Sequence, residues 1–329
     1  MATRVLVTGG CGFVGHHLVE HILKNKDWNI VIFDRLNYAS KGFDRLRDIK
    51  VFDDKRVTVL TTDLARKVDG GLVQEIGDVE YIYHLGAETH VDRSIDDPEP
   101  FVMSNVVGTM HLLDFARKIP SLKKFFYFST DEVFGPAPGE MAYKEWDRYN
   151  SGNPYAASKA GGEELCLAYG NTYKMPVVIS HCMNIFGERQ HPEKYIPLII
   201  RKVQNGETLK IHSDASKKVP GSRFWIHARN VAAAVMFLTE NCNTQDKYNI
   251  VGEKEVNNLE MAKFVAEVVG KPLKYELVDF HSSRPGHDLR YGLDGDKMNK
   301  MGWKLPLSFE QSLQKTIKWF LDNPAWLKG

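Results

Sequence analysis

The alternation of apolar runs with longer helical segments restricts the fold of this chain more than any other feature. Short runs rich in Val, Ile, Phe and Tyr occur at 4–7, 29–33, 57–60, 81–85, 124–128 and 176–180. Segments of helical periodicity follow three of them, at 13–25, 98–118 and 154–174. Strands that are apolar on both faces and joined by crossover helices form a parallel sheet covered on both sides. Residues 1–180 are therefore predicted to form an α/β domain around such a sheet.

The pattern changes after residue 180 to mixed segments with more Pro, Gly and charge, and it ends in an amphipathic helix at 309–322. We predict that 181–329 forms a smaller C-terminal α/β lobe that binds substrate. The segment 224–250 is expected to return to the first domain. Ligands on parallel sheets bind beyond the carboxyl ends of the strands, so the site is predicted there.

Charge and composition argue against several classes of protein. The 43 basic residues balance 42 acidic ones with no long run of one sign, so no nucleic acid or anionic membrane is expected as partner. No export signal, stretch of about 20 apolar residues or HExxH motif is evident, so neither a membrane span nor a metal site is predicted. A cytoplasmic location is expected because the four cysteines lie far apart, at Cys11, Cys166, Cys182 and Cys242.

The glycine-rich stretch VTGGCGFVG follows the first strand and opens the first helix. Gly9, Gly12 and Gly15 permit a tight turn and let backbone N–H groups approach a pyrophosphate at the positive end of that helix. Asp34 ends the second strand, where a carboxylate binds ribose hydroxyls and repels a 2′-phosphate. These features predict a Rossmann-like doubly wound sheet that binds NAD, although the neighbouring Arg35 leaves NADP open. The alternative is a glycine turn with a helix-capping Asp.

The stretch NPYAASKAGGEEL places Tyr155 and Lys159 four residues apart, on one face of a helix that begins at Asn153 or Pro154. A phenol of pKa about 10 is a poor base near neutral pH, but a nearby ammonium favours the phenolate and lowers that pKa. The pair is predicted to take a proton from a substrate hydroxyl while its carbon yields a hydride. The alternative is two ordinary surface residues.

The stretch FFYFSTDEVFG ends a strongly apolar strand with Thr130, Asp131 and Glu132. At the end of a central strand these side chains are expected to face the cofactor crevice beside Tyr155 and Lys159. Hydride transfer needs no second acid, whereas a step that removes a proton next to a carbonyl and expels a hydroxyl needs a base and an acid. A helix N-cap is the alternative interpretation, and the residues alone leave both open.

Several stretches, found in the right order over nearly the whole chain, resemble one family. They are the glycine loop, HLGAETHVDRSI (84–95), SNVVGT (104–109), STDEVFG (129–135), YAASK (155–159), NIFGERQHPEKYIP (184–197) and SRPGHDLRY (283–291). Together they resemble the extended short-chain dehydrogenase/reductases, and specifically the nucleotide-sugar 4,6-dehydratases of the dTDP-glucose 4,6-dehydratase type. The Thr-Asp-Glu run distinguishes these dehydratases from related epimerases, which usually carry Ser or Thr with small residues at these positions.

The resemblance implies a mechanism. Tyr155, assisted by Lys159, would deprotonate the sugar C4 hydroxyl while NAD takes the C4 hydride. Glu132 would remove the C5 proton, Asp131 would protonate the departing C6 hydroxyl, and Thr130 would hold the C4 oxygen. Return of the hydride to C6 would give a 4-keto-6-deoxy sugar without net redox change.

The same resemblance implies two sets of binding residues. The cofactor contacts would be Gly9, Gly12, Phe13, Val14, Gly15, Asp34, Asp63, Leu64, Ala87, Asn105, Tyr155 and Lys159. The contacts to the nucleotide-diphosphate sugar would be Glu88, Thr89, Asn184, Glu193, Lys194, Arg223, Asn258, Arg284 and His287. The run RFW stands at 223–225, where the family commonly has Arg-Asp-Trp, so the nucleotide is left open.

Two other activities compete with the dehydratase. One is a nucleotide-sugar 4-epimerase or another extended-branch enzyme, and the other is a nucleotide-binding protein without catalysis. The resemblance further implies a homodimer packed through helices 98–118 and 154–174. Apolar residues that could serve either that interface or the core are Val102, Val106, Met110, Leu165 and Leu167.

Overall fold

The computed structural model describes residues 2–279 and 289–328, and a seven-stranded parallel sheet lies at its centre. The strands are β1 (Arg4–Thr8), β2 (Asn29–Asp34), β3 (Val57–Thr61), β4 (Tyr81–His84), β5 (Lys124–Thr130), β6 (Val177–Cys182) and β10 (Asp246–Ile250). Their order across the sheet is β10-β6-β5-β4-β1-β2-β3, with every neighbouring pair parallel. The prediction of a doubly wound α/β sheet is confirmed.

Helices cover both faces of this sheet and lie between its strands in the chain. They are α1 (Phe13–Asn25), α2 (Asp44–Asp48), α3 (Gly70–Ile76), α4 (Val91–Asp96), α5 (Glu99–Val102), α6 (Gly108–Ala116), α7 (Pro154–Tyr173) and α9 (Ala228–Asn241). Apolar side chains of α1 and α9 fill the core on one face, and those of α6 and α7 fill it on the other. Both faces are buried, which explains why the strands are apolar throughout.

The smaller lobe contains a three-stranded and a two-stranded sheet. The first holds β7 (Asn184–Phe186), β9 (Ser222–His227) and β11 (Glu255–Asn257), and the second pairs β8 (Leu209–Ser213) with β12 (Tyr275–Asp279). Its helices are α8 (Tyr195–Gln204), α10 (Asn258–Val269) and α12 (Phe309–Asp322), which share one apolar core, while α11 (Asp296–Lys300) lies near β10. The division at residue 180 stays a prediction, although β10 pairs with β6.

The topology places a crevice above the middle of the large sheet. β1 pairs with β2 on one side and with β4 on the other, so the chain changes direction across the sheet at β1. Loops that leave the carboxyl ends of β1 and β4 therefore diverge, and ligands of such sheets bind in the gap between them. None of the helices in the described ranges is long and apolar enough to cross a membrane.

Candidate active site

The glycine loop between β1 and α1 brings backbone very close to backbone. Gly9 has φ +70°, and a Cβ added there would lie 2.8 Å from the backbone N and Cα of Gly86 in the loop after β4. A Cβ on Gly15 would lie 2.0 Å from the Gly9 carbonyl oxygen. Only glycine fits these two positions, and the loop lies at the N-terminal, positive end of α1. This bare cradle fits the pyrophosphate of a dinucleotide.

Asp34, the last residue of β2, links the loop after that strand to the glycine loop. Its Oδ2 accepts the Cys11 N–H at 3.0 Å, and its Oδ1 accepts the Leu36 N–H at 2.8 Å. Burial raises the pKa of this carboxyl, while the two backbone N–H groups and the nearby Arg45 oppose that rise. The carboxylate is therefore fixed in place at the position where a ribose would lie.

Arg35 does not offer an open site for a 2′-phosphate. Its guanidinium pairs with Glu88 and lies 3.4 Å from Asp63 Oδ2. Glu88 also accepts the Asn37 amide at 3.0 Å, so Arg35 is held in an acidic surrounding. The residues around Asp34 thus fit the uncharged ribose of NAD better than a phosphorylated one.

A single cavity of about 530 Å³ extends from the glycine loop to the smaller lobe. It is lined by nearly all the predicted site residues that the structure describes: Gly9, Gly12, Phe13, Val14, Gly15, Asp34, Asp63, Leu64, Ala87, Glu88, Thr89, Thr130, Asp131, Glu132, Tyr155, Lys159, Asn184, Glu193, Lys194, Arg223 and Asn258. Asn105 lies behind Glu88 instead, and Arg284 and His287 lie outside the described residues. The cavity thus brings together the predicted cofactor and substrate residues.

Asn105 contacts the cavity wall through the backbone of Glu88. Its Oδ1 accepts the Glu88 N–H at 2.9 Å, and its Nδ2 donates to the Glu88 carbonyl at 3.0 Å and to Ser158 Oγ at 2.9 Å. Asn105 sits in a π-helical turn, Met103–Val107, between α5 and α6. Its role in this geometry is to fix the loop after β4 against α7.

Tyr155 and Lys159 lie on one face of α7, and both are buried. Burial lowers the pKa of Lys159 to about 8, and the Glu163 carboxylate opposes this shift. Burial also raises the pKa of the Tyr155 phenol, and the Glu132 carboxyl raises it further. Burial and the Glu132 carboxyl thus oppose the lowering of the Tyr155 pKa that was predicted from the Lys159 ammonium, and that lowering stays a prediction.

Asp131 is a buried acid at the end of β5. Burial raises its pKa to about 7, and the adjacent Glu132 raises it too. Thr130 Oγ1 donates to Asp131 Oδ1 at 3.0 Å, whereas Oδ2 has no hydrogen-bond partner among the described residues. A carboxyl in this state can carry a proton near neutral pH and give it up, as a general acid must.

Glu132, half-buried in the same 3₁₀ turn (Asp131–Phe134), has a different surrounding. Its Oε2 accepts the amide Nδ2 of Asn153 at 3.1 Å, and its backbone N–H contacts Thr130 Oγ1 at 3.3 Å. One carboxyl of the pair thus has an amide donor and the other has an oxygen without a partner. Such unequal surroundings are what separates a base from an acid.

The smaller lobe supplies polar groups on the other side of the cavity. Arg223 donates to the carbonyls of Ser222 at 2.6 Å and Leu289 at 2.7 Å. Asn258 begins α10, and its carbonyl accepts the Tyr195 hydroxyl at 2.7 Å. Glu193 is surrounded by cations and imidazoles: Arg93 at 3.4 Å, His191 at 3.4 Å and His90 at 3.7 Å. On this side of the cavity an anionic ligand can therefore bind only next to the basic side chains.

Two comparisons with known proteins address the family directly. A family model described as GDP-mannose 4,6 dehydratase matches residues 6–316. The dTDP-glucose 4,6-dehydratase of Neisseria gonorrhoeae is 37% identical in an alignment 340 positions long that covers 97% of this chain and 96% of that protein. The chain belongs to the nucleotide-sugar 4,6-dehydratase family. The resemblance drawn from its sequence motifs is confirmed.

Solved structures agree with this 4,6-dehydratase assignment. DesIV, a dTDP-glucose 4,6-dehydratase from Streptomyces venezuelae solved with NAD bound, has a TM-score of 0.88 and 32% identity, with 99% of both chains covered. A UDP-glucose 4-epimerase from Thermus thermophilus, also solved with NAD, has a TM-score of 0.85 and 26% identity and covers 97% of this chain and 99% of that one. The fold alone therefore does not separate the two reactions.

Sequence reasoning missed one part of this dehydratase-family site, a buried network behind Lys159. Glu163 is fully buried, accepts from the hydroxyls of Ser129 and Tyr149, and lies 3.0 Å from His181 Nε2. Lys247 Nζ from β10 lies 3.7 Å from the same carboxylate. The signal was available, since Glu163 follows Lys159 by four residues and so shares its helix face.

Proposed function

We propose that this protein is an NAD-dependent 4,6-dehydratase that converts a nucleotide-diphosphate hexose to the 4-keto-6-deoxy sugar with loss of water. The observation that carries the proposal is the acid pair at the end of β5 beside Tyr155 and Lys159. Asp131 has a pKa of about 7, and Glu132 is hydrogen-bonded to an amide. An elimination needs one proton donor and one proton acceptor, and this pair supplies both.

The proposed roles follow from the positions of the side chains. The Tyr155 phenolate takes the proton of the sugar C4 hydroxyl as C4 loses its hydride, and the Lys159 ammonium one helical turn away stabilises that phenolate. Glu132 takes the C5 proton, which a ketone at C4 makes acidic. Asp131 gives its proton to the C6 hydroxyl, which leaves as water, while Thr130 holds the C4 oxygen.

The glycine loop and Asp34 would hold NAD, which would supply the reversible hydride acceptor that takes the C4 hydride and returns it to C6. Burial raises the pKa of Tyr155, and the Lys159 ammonium would oppose that rise. Burial of Tyr155 and Lys159 also excludes water from the reacting atoms, which strengthens every electrostatic contact in the site. The smaller lobe, through Asn184, Glu193, Lys194, Arg223 and Asn258, is proposed to bind the nucleotide diphosphate.

A nucleotide-sugar 4-epimerase is the second candidate, favoured by the epimerase of 26% identity that shares this fold and was solved with NAD. An epimerase uses Tyr155 and Lys159 but removes no proton from C5. Asp131 and Glu132 would then have no role in the reaction, although burying Asp131 costs free energy. This cost favours the dehydratase.

The test is mass spectrometry of the purified protein with NAD and a panel of dTDP-, UDP-, GDP- and CDP-hexoses. Loss of one water from at least one donor, without accumulation of NADH, is the expected result. The Glu132→Gln variant should lose this activity while it still folds and binds NAD, and Glu140→Gln, which changes an exposed acid in the same segment, should keep it. Epimerised sugar without water loss would replace the proposal with the second candidate.

We further propose that the enzyme acts in the cytoplasm as a homodimer. Val102 and Met103 are 46% and 40% exposed on the helical segment before α6, and Tyr173 is 50% exposed at the end of α7. Exposed apolar side chains on two neighbouring helices suit an interface between copies. Light scattering should give twice the monomer mass for the wild type and a monomer mass for Val102→Glu; a monomeric wild type would refute the dimer.

A further inference from the structure

The N-cap of α7 contacts the proposed base of the elimination. Asn153 is buried, and its Oδ1 accepts the Ala156 N–H at 2.9 Å, which caps the helix that carries Tyr155 and Lys159. Its Nδ2 donates to Glu132 Oε2 at 3.1 Å. One amide therefore connects the helix that carries Tyr155 and Lys159 with the acid pair after β5.

The helix cap fixes which way this amide points. A backbone N–H such as that of Ala156 can donate only to an oxygen, so Oδ1 faces the helix and Nδ2 faces Glu132. Capping alone does not require the NH₂ group, because Ser and Asp cap helices about as well as Asn. The NH₂ group of Asn153 thus provides a donor to Glu132 in addition to the cap.

The surrounding backbone holds Asn153 and Glu132 in register. The Asn150 N–H donates to the Val133 carbonyl at 2.9 Å, which pins the segment before α7 to the turn that contains Glu132. Gly135 has φ +78°, and a Cβ there would lie 2.3 Å from the Asn150 carbonyl oxygen. The two segments therefore approach as closely as their backbones allow, and this close backbone packing fixes the positions from which Asn153 and Glu132 make their contact.

We propose that Asn153 is a positioning residue that orients the Glu132 carboxylate for removal of the C5 proton. This inference rests on the proposed dehydratase function. A carboxylate that is not held can rotate away from the C–H bond, and misplacement by about 1 Å can slow a reaction about 100-fold. Loss of the amide donor should therefore slow the elimination and leave the first oxidation at C4 intact.

The test is a rapid-mixing experiment with wild type and Asn153→Ser, supplied with NAD and a hexose nucleotide that the wild type dehydrates, with dTDP-glucose tried first. Serine keeps the cap but lacks the amide that reaches Glu132. The variant should form reduced nicotinamide at the wild-type rate, and the decay of that signal should slow about 10- to 100-fold. Its isotope effect with substrate deuterated at C5 should rise above that of the wild type.

A second variant separates positioning from simple structural support. In the Glu132→Gln background, Asn153→Ser should cause no further loss of the residual elimination rate, because the carboxylate that Asn153 orients is already gone. Equal thermal unfolding midpoints for wild type and Asn153→Ser would show that the cap is intact.

Three results would contradict the role of Asn153 or the proposed function. Slower formation of reduced nicotinamide with an unchanged decay would limit Asn153 to supporting Tyr155, and unchanged kinetics throughout would remove its role; both refute the inference. A wild type that removes water from no hexose nucleotide would instead refute the proposed function, together with the inference built on it.

Discussion

The buried acid Asp131 should make this protein less stable at alkaline pH, and its replacement by Asn should reverse that effect. Its pKa is raised from 3.8 to about 7, so folding favours the protonated carboxyl. The stability from this group is fully present below the unfolded pKa and is lost as pH rises through the folded pKa. An uncharged, isosteric Asn does not titrate and escapes that loss.

The two pKa values give the size of the effect. Integrated over pH, the raised pKa of Asp131 lowers the unfolding free energy, relative to its value at low pH, by about 2 kcal/mol at pH 5 and about 4 kcal/mol at pH 8. Asp131→Asn should therefore gain about 2 to 3 kcal/mol more unfolding free energy at pH 8 than at pH 5. Costs that do not depend on pH, such as a poorer hydrogen bond to Thr130, cancel in this difference.

The assay is urea unfolding of wild type and Asp131→Asn at both pH values, followed by circular dichroism. The exposed Asp53 provides the control, since Asp53→Asn should change stability by less than about 0.5 kcal/mol at either pH. Equal gains for Asp131→Asn at pH 5 and pH 8 would refute the raised pKa and with it the role of Asp131 as acid. The same variant should lose dehydration.

Three further predictions test the cofactor end of the site and the pair of Tyr155 and Lys159. Gly9→Ala should lose about 1 to 3 kcal/mol of stability and most NAD affinity, measured by thermal unfolding and NAD titration, because φ is +70° and a Cβ would meet Gly86; unchanged binding would contradict this. Asp34→Ala should weaken NAD binding and reduce the preference for NAD over NADP. An NAD affinity equal to that of the wild type would show that Asp34 does not bind the ribose. The rate of C4 oxidation should fall as pH rises through about 8, where Lys159 loses its charge, and Glu163→Gln should move that fall to lower pH in a pH–rate profile; a fall that does not move would separate Glu163 from Lys159.

Local patterns made the large sheet and the cofactor end predictable from the sequence. The glycine loop follows β1 directly and Asp34 ends β2, so each lies where its own strand places it. The start of α7 was equally local, since Asn153 and Pro154 are a usual cap and first residue. The domain boundary and the roles of individual site residues stay predictions.

Contacts between distant segments could not be predicted in the same way. Asn153 was recognised as a helix start, but its bond to Glu132 joins residues 21 positions apart and depends on the path of the intervening loop. The spacing from Lys159 places Glu163 on the same helix face, but it does not reveal that this carboxylate is fully buried. Burial of a charge depends on partners from β5, β6 and β10, which sequence periodicity does not specify.

Transfer of hydrogen from C4 to C6 can be followed with a nucleotide hexose that carries deuterium at C4. We expect a product that has lost one water, has a ketone at C4 and carries the deuterium in the C6 methyl group, with no net NADH, as read by mass spectrometry and NMR. A product that retains its water and is inverted at C4 would contradict the proposed dehydration and would assign this site to epimerisation.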